Sequence, residues 1–302
     1  MFARWMLSAA ITAAALAAPL QRSYRPIESW PAAEGPPALG YGTAAVSAVA
    51  TDRRGDVYVF QRAPRAVLIF DREGRFRRAW EATDFTSPHG CRVAPDGSLW
   101  LTDNADHRVM HFTPEGKVLA TFGVRGRAGE DETHFNRPTD VAFGTNGDVY
   151  IADGYGNSRV VRLSREGKYR GAWGRRGTGP GEFNLPHSIA VDARGKVYVA
   201  DRENRRIQVF TADGTFVSQW RHVGKPFGLS VTRDERLFVT DGEAHTVAVY
   251  DLEGKELARW GAPGRGPGQF DLPHLLTVDG DGSVYVAEVN GKRVQKFRPP
   301  AN

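Results

Sequence analysis

Three of the eight histidines recur in a single setting. The stretches SPHGCRVAPDG (87–97), LPHSIAVDARG (185–195) and LPHLLTVDGDG (272–282) each hold a Pro-His pair, a short apolar run and a turn closing on glycine. In all three, the histidine (His89, His187, His274) stands eight residues ahead of that glycine. Histidine placed three times in one repeated slot points to a shared centre. Three neutral imidazoles converging with a fourth position open describe a catalytic zinc site, with Zn–N distances of about 2.0–2.1 Å. Other divalent ions that accept imidazole suit the same donors.

The elements that would position these residues are repeats of one unit. The unit reads as an apolar strand, a D-x-x-G turn, a V-Y-V-A-D strand, a polar turn, an R-V-x-x-F strand, a second D-x-x-G turn and a strand ending in Trp. Six second strands are legible: DVYVFQ (56–61), SLWLTD (98–103), DVYIAD (148–153), KVYVAD (196–201), RLFVTD (236–241) and SVYVAE (283–288). Units follow one another at 40 to 50 residues and no stretch keeps a helical period. Four short antiparallel strands at that period predict an all-β fold, a six-bladed β-propeller over 44–299. The sixth unit stops after RVQKF (293–297) and lacks its fourth strand. PIESW (26–30) resembles FVSQW (216–220), so Ile27–Trp30 is predicted to complete the last blade and close the ring, with 19–43 as closing strand and connector. Closure removes two exposed sheet edges.

In a propeller, the first strand of each blade lines the central channel. His89, His187 and His274 open that strand in the second, fourth and sixth blades, which are related by roughly 120°. The same slots in blades one, three and five hold Ser47, Thr139 and Phe227. The imidazoles therefore meet at the axis at one height. Where the first strand begins, the antiparallel second strand ends, so residues just past a second strand share the histidines' rim. Arg62 and Tyr155 stand there and are not repeated. Arg62 would suit a carboxylate through a bidentate pair, and Tyr155 beside a dication would suit a general base.

The remaining signals bound the setting. The first residues, MFARWMLSAAITAAALAAPLQ, have an early Arg, an Ala/Leu/Ile run and small residues near Ala18, the pattern of a signal peptide over 1–18. The expectation is export to a periplasm or the exterior, with no stable membrane span after cleavage. A single cysteine, Cys91, rules out an internal disulfide and sits in a strand as an inert thiol. Net charge is +5 with arginines scattered, which argues against nucleic acid as a partner and for a solvated, mildly anion-attracting surface; a monomer is expected. GRRGTGPGEF (174–183) and GAPGRGPGQF (261–270) lack the ending of a phosphate loop and read as inter-blade connections. The Asp closing most second strands (Asp103, Asp153, Asp201, Asp241) recurs too regularly for one active site and reads as a turn cap. His107 and His245 fall in a polar surface slot, and His134 in an inter-blade loop.

With these residues in hand, the chain resembles the NHL-repeat propeller of the peptidyl-α-hydroxyglycine α-amidating lyases over about 44–298. RPTDVAFGTNGDVYIADGYGNSRVVRLSREGKYRGAWG (137–174) and GEFNLPHSIAVDARGKVYVADRENRRIQVF (181–210) carry the resemblance most specifically. It implies a zinc held by His89, His187 and His274, a catalytic tyrosine at Tyr155 in DGYGNSR, and an active-site arginine at Arg62. It implies a reaction in which the N–C bond of a C-terminal α-hydroxyglycine is cleaved to a peptide amide and glyoxylate, the substrate being a small peptide or related carbinolamide. The family also has a calcium site that uses an Asp directly after the last histidine, together with carbonyls equivalent to Val49 and Cys91. Leu275 replaces that Asp here, which counts against Ca²⁺. The competing reading is a non-enzymatic NHL propeller acting as a binding scaffold. A third reading, ester or lactone hydrolysis, calls for carboxylate and amide ligands that these slots do not hold.

Overall fold

The computed structural model describes residues 24–31, 36–81 and 84–300. The predicted signal peptide, 1–18, lies outside them. Six four-stranded antiparallel sheets stand around a central axis. Their innermost strands are Val46–Thr51, Pro88–Val93, Asp140–Phe143, Pro186–Val191, Pro226–Val231 and Pro273–Val278. Each of these neighbours the next, and the last packs back on the first, so the ring is closed. Among the described residues no helix is long and apolar enough to cross a membrane.

Burial falls off from hub to rim, as the residue types require. The second strands, such as Val57–Gln61 and Val197–Asp201, are buried at every position because both faces of each sheet pack against neighbouring blades. A strand covered on two sides needs β-branched and aromatic residues throughout rather than in alternation. Outermost strands such as Val118–Phe122 are mostly exposed. The aromatic ring ending each outer strand is used differently. Trp80, Phe122, Trp173 and Trp220 lie against Gly116, Gly167, Gly214 and Gly254, the turn glycines of the next blade, and so bind the wedges to one another.

Closure by the N-terminal segment is present, but its strand differs from the expected one. Arg25–Pro26, rather than Ile27–Trp30, is the fourth strand of the last blade, pairing Arg25 with Arg298 and Pro26 with Phe297. Ile27 adds one more bond, its N–H donating to the Lys296 carbonyl. The Trp30 N–H then closes a turn onto the Ile27 carbonyl, so the chain leaves the edge there. Trp30 is instead buried between blades six and one, against Phe70 and Tyr285. The resemblance of PIESW to the other outer strands thus reflects a shared aromatic packing site, not a shared strand register.

The recurring Asp at the end of the second strand caps the loop that enters the hub. Asp103 accepts the amides of Thr86 and Ser87, Asp153 that of Asn136, and Asp201 that of Asn184. Arg108, Arg159 and Arg206 in the third strands pair with these carboxylates, the Asp201–Arg206 pair being fully buried. These caps fix the loops immediately ahead of His89, Thr139 and His187. The two Gly-rich stretches run between blades, each closed by a single bridge, Arg176 to Phe183 and Pro263 to Phe270. Cys91 is buried in an inner strand, and burial pushes its thiol up to about 12, as an inert core residue requires.

Candidate metal centre

His89, His187 and His274 meet at the axis. Their ring centroids are 4.8, 4.7 and 4.8 Å apart, close to an equilateral triangle. One ring nitrogen of each lies within 4.8 Å of the other two, and all three side chains are buried. Each Nδ1 is bonded to a backbone carbonyl of the next blade in the ring: His89 to Thr139 O at 2.7 Å, His187 to Phe227 O at 2.7 Å and His274 to Ser47 O at 2.6 Å. The acceptors are the very residues that fill the histidine slot in the odd-numbered blades. A carbonyl only accepts, so each Nδ1 carries the proton and each Nε2 is left with a lone pair. Burial lowers His89 to about 3 and holds His187 and His274 well below the usual imidazole range. All three rings are therefore neutral, the form that ligates a metal.

Tyr155 sits over this triangle. Its hydroxyl is 3.2 Å from His89 Nε2 and 3.2 Å from His187 Nε2. A hydroxyl has one proton and can satisfy one of those lone pairs, not both. Three buried acceptors facing one donor form an electron-rich concavity, and a divalent cation is the group that fits it. Imidazole donors with this carbonyl-fixed tautomer match zinc best.

The other rim residues converge as the antiparallel geometry required. Arg62 Nε donates to the carbonyl of Pro88, next to His89, at 3.3 Å. A third rim residue went unnoticed in the sequence. Arg202 Nη1 lies 3.4 Å from the Tyr155 hydroxyl, and its guanidinium also covers the Phe227 ring at 4.7 Å. Arg202 directly follows VYVAD as Arg62 follows VYVFQ, so the argument from strand direction applied to it equally. Arg137, a fourth, lies with its guanidinium carbon 5.3 Å from the centre of the Tyr155 ring.

Backbone strain presets this rim. Arg137, Leu185 and Leu272, which precede the inner strands of blades three, four and six, have φ of 62°, 68° and 60°. Non-glycine residues rarely adopt that region, at a cost of roughly 1–3 kcal/mol each. Their carbonyls receive the amides of Tyr155, Arg202 and Val289 respectively. His107 Nδ1 accepts the Arg137 amide at 3.0 Å, giving this surface histidine a structural use. His134 is paired with Asp131 in its own loop, away from the triangle.

Two glycines are required by close approach. A Cβ on Gly154 would lie 1.9 Å from the Pro186 carbonyl, which is why DGY carries glycine before the tyrosine. A Cβ on Gly90 would lie 2.6 Å from the Thr139 carbonyl, the acceptor of His89 Nδ1. Gly90→Ala is expected to displace that carbonyl and weaken metal affinity by about 10–100-fold, the usual scale for losing a ligand's supporting partner. Metal titration of the variant, with folding checked by circular dichroism, reads this directly. Unchanged affinity would mean that the carbonyl does not orient His89.

Farther down the axis the hub is plugged. Arg92, three residues past His89 on the same strand, donates Nε and Nη2 to Asp140 at 2.9 and 2.6 Å. It also donates to the carbonyls of Leu276 and Leu229 at 3.1 and 2.9 Å and to Ser188 Oγ at 3.3 Å. One guanidinium thereby ties blade two to blades three, four, five and six. Leu275, in the place of the family's calcium-binding Asp, packs into the core beside Ala48 and Cys91.

Comparison with known proteins agrees with this fold. The NHL repeat family model matches residues 135–163 and 183–210. Human NHL repeat-containing protein 3 is 36% identical over 86% of this chain and 81% of its own length. The chain belongs to the NHL-repeat family of six-bladed propellers. Within that family it is similar to peptidyl-alpha-hydroxyglycine alpha-amidating lyase 1 of Drosophila melanogaster, 30% identical over 86% of this chain. The chain spans 58% of that lyase's length. A gluconolactonase from Xanthomonas campestris shares the fold, with a TM-score of 0.66, 18% identity and coverage of 87% and 91% of the two chains.

Proposed function

We propose that this protein is an exported, zinc-dependent carbon–nitrogen lyase that cleaves the N–C bond of a carbinolamide, with a peptide ending in α-hydroxyglycine as substrate and glyoxylate and a peptide amide as products. The observation that carries this reading is the Tyr155 hydroxyl held 3.2 Å from two Nε2 atoms of a neutral three-histidine cluster. The relatives named as amidating lyases support it.

His89, His187 and His274 would hold the ion, which supplies Lewis acidity toward the substrate's hydroxyl oxygen. Tyr155, as its phenolate, takes the proton of that hydroxyl. The C–O bond becomes a carbonyl as the C–N bond breaks, and the bonding pair leaves on the amide nitrogen. Tyr155 returns the proton to that nitrogen, so the step balances as an elimination without added water. Arg62 and Arg202 hold the substrate's carboxylate, bidentate recognition being what a guanidinium fork supplies.

A single ion suffices in this reading. Leu275 offers no ligand, and the hub already carries the Arg92 cation, so calcium is not required. Export follows from the predicted signal peptide, and the active unit is a monomer.

The test is to purify the mature protein, measure bound metal and assay glyoxylate release from an α-hydroxyglycine peptide. Stoichiometric zinc with glyoxylate supports the reading. Zinc without glyoxylate removes the named reaction, and absence of metal favours a binding scaffold. Tyr155→Phe is expected to keep its metal and lose about 10²–10⁴-fold in kcat, the range for general acid–base groups. Wild-type turnover by the phenylalanine variant would remove Tyr155 from proton transfer.

A further inference from the structure

The reaction proposed above occupies Arg62 and Arg202 with one carboxylate and leaves Arg137 without a task. Arg137 is exposed at the mouth of the centre, and among the described residues no protein carboxylate or carbonyl accepts from its guanidinium. Arg202, by contrast, is paired with Glu203 at 2.9 Å, and Glu203 is shared with Lys225 at 3.0 Å.

A solvated surface arginine is ordinarily a loose group. The backbone that carries this one is fixed. Its amide is bonded to His107 Nδ1 at 3.0 Å, its carbonyl receives the Tyr155 amide at 3.2 Å, and its φ of 62° is in the left-handed region. The guanidinium then lies over the Tyr155 ring at 5.3 Å. Stacking on an aromatic face orients the guanidinium while leaving its N–H edge free, which is preorganisation for a carboxylate. Arg137 and Arg202 both flank the Tyr155 ring, but the Tyr155 hydroxyl accepts from Arg202 and not from Arg137, which leaves Arg137 for an anion other than the one beside the reacting carbon.

We propose that Arg137 forms a second anion subsite, which selects carbinolamides carrying a carboxylate on the acyl side, such as a peptide with Glu or Asp just before the hydroxyglycine. This rests on the lyase reading for its substrate orientation, but the subsite can be read by binding alone.

The experiment uses the zinc-loaded full chain and two unreactive peptides, N-acetyl-Glu-Gly and N-acetyl-Gln-Gly, with binding measured by calorimetry. Their α-hydroxyglycine forms are assayed in parallel for glyoxylate. The Glu peptide is expected to bind about three- to fivefold more tightly, the upper scale of an exposed ion pair, and its advantage should shrink as salt rises. Arg137→Gln should bring the Glu-to-Gln ratio close to one, and Arg137→Lys should restore part of it. A ratio near one in the wild type, a ratio that survives Arg137→Gln, equal weakening of both peptides by that variant, or no binding of either would overturn the subsite. A Glu preference that depends on Arg137, with no glyoxylate from either hydroxyglycine peptide, would keep the subsite and discard the lyase reading.

Discussion

His187→Ala should purify without stoichiometric zinc and lose roughly 10³-fold or more of glyoxylate release, since a Lewis acid supplies several kcal/mol of charge stabilisation. Two donors remain in the variant, but the triangle of ring centroids about 4.8 Å apart is open on one side. The Phe227 carbonyl also loses its imidazole partner, at an added cost of about 1–3 kcal/mol for a buried group left unmet. Elemental analysis and a thermal melt with and without added zinc separate these effects. The wild type should gain about 4 kcal/mol of stability at zinc concentrations near a thousandfold above Kd, and the variant should gain far less. Zinc retained at full stoichiometry by His187→Ala would place the ion elsewhere.

Arg92→Met is expected to destabilise the fold by about 3–5 kcal/mol without touching a metal ligand. Asp140 is fully buried and Arg92 only 14% exposed in its side chain, so solvent screens the pair little. Removing the guanidinium leaves the Asp140 carboxylate with Ser188 Oγ and the Val141 amide as its remaining partners. It also frees the carbonyls of Leu229 and Leu276. The melting temperature should fall on the order of 10 °C. Adding Asp140→Leu should recover much of the loss, because removing both charges leaves no buried ion uncompensated. A loss below about 1 kcal/mol for Arg92→Met would mean that the plug is not a structural centre.

Much of this is legible in the sequence. The Pro-His stretches recur with one spacing, and a repeat of constant length places equal residues at equal positions of a closed ring. Arg62 and Tyr155 followed from the direction of neighbouring strands. Arg202 was equally accessible, since it too stands directly after a second strand, at the head of the arginine-rich run RENRR. The plug had a signal as well: Arg92 and Asp140 are the only charged residues in the six inner strands. Nothing local says that two lone charges in different blades will meet, because that depends on how the strands converge.

What the chain alone determined is periodic: strand order, blade number, the histidines' common slot and the turn-capping aspartates, all set by hydrogen-bonding and burial patterns that repeat every 40 to 50 residues. Tertiary structure decided what crosses from blade to blade. The carbonyls of Thr139, Phe227 and Ser47 that fix each imidazole's tautomer, the Tyr155 hydroxyl between two Nε2 atoms, and the closing strand at Arg25–Pro26 instead of Ile27–Trp30 are of this kind. The physical reason is that backbone polar groups and chain-end registers bear no side-chain signature. A carbonyl acts as an acceptor whatever residue owns it, and only the packed ring shows which one an imidazole meets.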